Sequence, residues 1–228
     1  MDTGNRHLLL WLTLFAVAFG YIEGGVVVYL RELFYPGGFS LDLQALRPRH
    51  IVTTEVAREA ASLLLLLSVA RLSVRGGLRR FAVFAFCFGV WDLIFYLTLK
   101  LLLDWPLSLL DWDILFLIPV PWTAPVLAPV LVSLGLITAG VMLLLSPEER
   151  LPSFTRRDWL IESGAGLVIL TTFFWALPNL AAGRPPGAYP WWLFAIGFLG
   201  GMGWFVWRYR LARHSPAQDQ PAGGAEHQ

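Results

Sequence analysis

The sequence predicts an all-α fold: a polytopic integral membrane helix bundle of about six transmembrane helices, with a proline-rich interfacial or re-entrant segment before the fourth. Three observations carry this. The 228 residues are 57% hydrophobic and 14% charged, where a soluble domain is about 25% charged. Apolar runs of about 20 residues, the length that crosses a bilayer as a helix, recur along the chain. Basic residues gather in alternate connections between those runs, the pattern of a multi-pass protein.

The first run is 8–30, LLLWLTLFAVAFGYIEGGVVVYL. Its beginning imitates a secretory signal: Arg6, then LLLWLTLF, then Ala16-Val17-Ala18. The apolar character continues to Leu30, so the stretch is read as an uncleaved span. The second run is 53–71 and the third is 81–103, FAVFAFCFGVWDLIFYLTLKLLL. The fourth, about 124–145, follows or overlaps ILFLIPVPWTAPVLAPVL, in which Pro119, Pro121, Pro125 and Pro129 would break or kink a helix. Irregular backbone at membrane depth is tolerated only against protein or water, so this segment is expected to pack on the bundle. The fifth run is about 159–178 and the sixth about 191–210. Residues 1–213 form a single domain on this reading, and 214–228, HSPAQDQPAGGAEHQ, a disordered cytoplasmic tail.

Orientation follows from arginine and lysine. With the N-terminus inside, Arg6, the 2–3 and 4–5 connections and the C-terminal end place eleven arginines on the cytoplasmic side. Five basic residues (Arg31, Arg47, Arg49, Lys100 and Arg184) fall outside, and Arg58 lies within a span. Both termini are therefore expected in the cytoplasm. Arginine outnumbers lysine sixteen to one amid abundant Ala, Gly, Pro and Leu. That composition fits a GC-rich bacterial source and hence the bacterial inner membrane. The net charge of +1 and the lack of a basic block argue against nucleic acid. The single cysteine, Cys87, excludes an internal disulfide.

Charges inside the spans mark the candidate site, because each is costly in lipid and pairs, protonates or lines water. Glu55, Arg58 and Glu59 stand at i, i+3 and i+4 on one face of the second span, and Ser62 extends it. Glu23 lies two-thirds along the first span, inside the frame Gly20–Gly24 that lets a neighbouring helix approach. Asp92, Tyr96 and Lys100 share a stripe of the third span. These groups are expected to converge in the outer half of the bundle. Glu23, Glu59 and Asp92 would be the reacting carboxylates. Glu55, Arg58, Trp91, Tyr96, Lys100 and Trp122 would bind substrate. Four acids against Arg58 and Lys100 leave a negative surplus, which calls for protons, a bound cation or water. Asp104, Asp111, Asp113 and His50 are expected as an acidic rim at the mouth, and Glu162 at the inner interface.

No HExxH, Walker A or GxSxG motif is present. No histidine lies mid-span, so bis-histidine haem ligation in the bundle is not expected. Metal and cofactor are left open. Three functions fit. The first is a small proton- or cation-coupled transporter or channel. The second is a membrane-embedded enzyme acting on a lipid or isoprenoid by carboxylate acid/base chemistry. The third is a structural subunit in which the charges bind helix to helix. Expected partners are the lipid bilayer, a small ion or lipid-like substrate, and further copies of the chain or a membrane complex.

Overall fold

A computed structural model of the chain describes residues 3–35, 37–41 and 49–214. Six helices of 18 to 32 residues dominate: α1 (Thr3–Phe34), α2 (Arg49–Ser73), α3 (Gly77–Leu103), α4 (Leu127–Leu144), α5 (Arg156–Phe173) and, after the five-residue α6 (Leu177–Ala181), α7 (Trp191–His214). Among the described residues, four segments are long and apolar enough to cross a membrane: Gly4–Phe34, Gly77–Leu103, Leu127–Leu144 and Arg156–Ala181. Helices α2 and α7 are long but less apolar, α2 because Glu55, Arg58 and Glu59 sit within it. The tail expected over 214–228 lies outside the described residues from 215 onward, as does Arg47.

Helix α3 is the centre, packing on α1, α2 and α4, while α5 pairs with α7. Small residues permit the close crossings. A Cβ on Gly20 would stand 2.6 Å from the Trp91 carbonyl oxygen, and one on Gly24 would stand 2.7 Å from Thr98 Cβ. The Gly20–Gly24 frame therefore brings α1 against α3 with Glu23 between the two contacts. The α5–α7 contact uses a second such frame, Gly197 and Gly201: a Cβ on Gly197 would meet the Ala165 carbonyl at 2.9 Å. Thr155 and Asp158 form a capping box at the start of α5, and the same Asp158 accepts from Trp204 Nε1 at 3.1 Å, tying α5 to α7.

The proline-rich segment is not wholly irregular. Trp112–Phe116 (β1) and Trp122–Pro125 (β2) form an antiparallel hairpin, with Asp113 opposite Ala124 and a register irregularity between Ile114 and Phe116. Pro119 and Pro121 fall in the turn, where no ladder donor is lost. Asp111 accepts from the Leu107 and Ser108 amides at 2.8 and 3.0 Å and shapes the approach to β1. The hairpin adds a small sheet to an otherwise helical chain.

Candidate functional site

A cavity of about 120 Å³ lies where the C-terminal half of α1, the N-terminal half of α2, the C-terminal half of α3 and the hairpin meet. Helix α1 supplies Glu23 and Arg31, α2 supplies Glu55, Arg58 and Glu59, α3 supplies Trp91, Asp92 and Tyr96, and β1 supplies Asp113. Seven of the nine residues singled out from the sequence line it. The other two do not. Lys100 turns to the surface and donates to Asp104 Oδ1 at 2.7 Å and the Pro106 carbonyl at 3.0 Å. Trp122, the first residue of β2, packs against Phe173 and Phe174 instead. A stripe at i, i+4 and i+8 drifts round the helix, and the long lysine stem reaches polar partners beyond the helix end instead.

Arg58 joins α1 to α2. It donates to Glu23 through Nη1, and to Glu55 through Nη2 at 2.7 Å and Nε at 3.0 Å. The spacing i, i+3 presents Glu55 to Arg58 on the same helix, whereas Glu23 arrives from α1. Ser62 Oγ donates to the second Glu23 oxygen at 2.9 Å. The arginine side chain is 21% exposed, so the triad is largely desolvated.

Glu59 and Asp92 are held differently. Glu59 accepts the Leu117 amide on both oxygens, at 2.8 and 3.1 Å, which docks the hairpin turn onto α2. Asp92 accepts from Ser133 Oγ of α4 at 2.7 Å. Neither carboxylate forms an ion pair among the described residues; each has only a neutral donor.

Sequence reasoning did not place Arg31 and Asp113 in the site. Asp113 is not part of a solvated rim: its side chain is 2% exposed and accepts from Arg31 Nη2 at 2.8 Å. The Arg31 guanidinium lies 4.0 Å from the Phe39 ring centroid and 3.7 Å from that of Trp105, with both rings offering their negative faces. Burial pushes the Asp113 carboxyl above its ordinary range, and the neighbouring guanidinium opposes that shift. The sequence signal for the hairpin that carries Asp113 was the β-prone run WDILF, followed after Leu117 and Ile118 by the turn residues PVP. Arg31 gave no signal, because a basic residue in the last turn of a span counts as a loop charge. Asp104, by contrast, is a surface residue at 82% side-chain exposure.

Among the described residues, five carboxylates (Glu23, Glu55, Glu59, Asp92, Asp113) face two guanidiniums (Arg31, Arg58) around one small cavity, so full ionisation leaves three negative charges without a partner in that group. Burying such a surplus is prohibitive unless protons or a cation neutralise it. Toward the N-terminal end of α1 the cavity ends on Trp91, which packs on Phe19, Phe88 and Phe116. Beyond that lie the fully buried Ala16, Leu66, Val83 and Cys87. Among the described residues, no group of three or more His, Cys, Asp or Glu side chains is arranged to hold a metal ion.

The chain matches no known protein-family model, no curated protein and no solved structure. The site's own chemistry is therefore what a functional reading rests on.

Proposed function

We propose that the protein is a small proton- or cation-coupled transporter or channel, with Glu23, Glu59 and Asp92 as the groups that exchange protons or bind the cation. The observation that carries this reading is the charge surplus around a cavity of about 120 Å³. Sites for drug-sized molecules are about 300–1,000 Å³, so the space suits an ion with a few waters better than a lipid headgroup. Glu59 and Asp92, bonded only to neutral donors, are the two carboxylates whose charge a mobile proton or cation would balance. Arg58 holds Glu23 and Glu55 in place.

The test is flux. Purified protein in liposomes with an internal pH-sensitive dye is expected to respond to imposed proton, sodium and potassium gradients. Glu59→Gln and Asp92→Asn, inserted normally, are expected to abolish the response. Wild-type flux in both variants would remove the reading.

The proposed topology has six spans, with α2 and α7 crossing alongside the four more apolar segments, both termini cytoplasmic and the membrane that of a bacterial cell. Arginine distribution supports it, and α2 and α7, at 25 and 24 residues, are about 36 Å long at 1.5 Å per residue. Cys87 is fully buried, so an introduced thiol is the accessible one. Gly77→Cys, a position with open space around it, is expected to react with an impermeant maleimide only after the membrane is opened. Leu107→Cys, on the 80% exposed approach to the hairpin, is expected to react in intact cells. The reverse pattern would invert the topology.

The aromatic floor formed by Trp91, Phe19 and Phe88 favours a second reading. A cavity closed at one end suits an enzyme that protonates a lipid or isoprenoid from one leaflet. Turnover of such a lipid without ion flux would select it.

A further inference from the structure

A second cavity, of about 340 Å³, opens between α3–α4 on one side and α5–α7 on the other. Its character differs from the first. Among the described residues that line it, Glu162 is the one charged side chain, and the rest are apolar or small apart from Ser163 and the Trp159 indole. Glu162 is half-buried, and its Oε1 is buried with no hydrogen-bond partner among the described residues. Arg208, which reaches α5 from α7, is engaged by Asp158 at 3.2 Å.

The walls near Glu162 are aromatic. Phe81 meets Trp159 edge-on at 5.4 Å, Phe154 lies 5.6 Å from Trp159, and Phe154 stacks on Phe205 at 6.3 Å. On the α7 wall Gly197 and Gly201 leave gaps between the side chains of Phe198, Met202 and Phe205. Aromatic faces attract cations, and a lone carboxylate among apolar walls is neutralised by a proton or by a counter-charge. An ionisable group within a membrane helix that faces a cavity marks a ligand or ion site by default.

We propose that this groove binds a lipophilic cation, a bulky apolar molecule carrying one positive charge, with Glu162 as its counter-charge. Charge complementarity selects this occupant. An acyl chain would fill the walls but offer the carboxylate no counter-charge, leaving a proton alone to neutralise it. An anion would be repelled by it. A small hydrated cation would leave the apolar walls empty. The volume falls in the range of sites for drug-sized molecules. The proposal is independent of the carboxylate cavity, which shares no lining residue with this groove.

The probe is tetraphenylphosphonium, with tetraphenylborate as its near-isosteric anion, each measured by equilibrium dialysis against the full chain in nanodiscs of neutral lipid. Saturable binding of the cation is expected at least about tenfold tighter than that of the anion, a difference of about 1.4 kcal/mol. Glu162→Gln is expected to remove that preference, Glu162→Asp to keep part of it, and Asp92→Asn to leave it intact. Equal binding of both ions, or no saturable binding, would mean an apolar groove occupied by lipid and would overturn the proposal. The wild-type comparison decides this even if Glu162→Gln fails to fold. Loss of the preference in Asp92→Asn but not Glu162→Gln would move the cation to the other cavity and equally overturn it.

Discussion

Arg58→Leu is expected to destabilise the protein by about 3–5 kcal/mol, the usual cost of removing one partner from a buried ion pair. The substitution strands two carboxylates at once. Glu55 loses both of its guanidinium donors, and Glu23 keeps only the Ser62 hydroxyl. Such a loss is a large share of a total stability of about 5–15 kcal/mol, so thermal unfolding in detergent should shift down clearly. Arg58→Lys is expected to fall in between, because one ammonium cannot reproduce a planar fork that serves Glu55 with two nitrogens and Glu23 with a third. Neutralising the whole triad, with Glu23→Gln and Glu55→Gln beside Arg58→Leu, is expected to recover much of the loss. An unchanged melting temperature in Arg58→Leu would show that the carboxylates are hydrated and that the cavity is not a low-dielectric site.

Asp113→Leu is expected to cost a similar amount, about 3–5 kcal/mol, by a different route. Arg31 has a side chain only 8% exposed, and among the described residues its guanidinium donates to Asp113. The rings of Phe39 and Trp105 cover its faces but accept no conventional hydrogen bond along its edge. The variant therefore leaves a buried cation against apolar neighbours, and β1 loses its tie to α1. Thermal unfolding reads the energy, and amide hydrogen exchange over 112–125 reads the tie, which should protect less in the variant than in the wild type. The double variant Arg31→Met/Asp113→Leu is expected to be more stable than Asp113→Leu alone, since removing both members of a buried pair leaves no unpaired charge. Equal stability of the two would show that Arg31 is not stranded when Asp113 is removed.

The sequence by itself determined the helical elements and much of the α1–α2–α3 acid group. Hydropathy is a local property, and the run 81–103 falls within Gly77–Leu103 with its C-terminal end matched. Helical spacing alone places Glu55, Arg58 and Glu59 on one face, and the cost of charge in lipid argues that such faces turn toward one another. The Gly20–Gly24 frame predicts a close crossing without naming α3 as the helix that makes it. Tertiary structure decided the rest. Asp113 and Arg31 are 82 residues apart, and nothing local to either predicts that a hairpin carries one beneath the other. Ser133 as the partner of Asp92, the outward turn of Lys100, and the seclusion of Glu162 in an apolar groove likewise depend on which helices pack together. Periodicity fixes which residues share a face. Only the packed neighbours fix what that face meets, and for a buried charge the neighbour sets the energy.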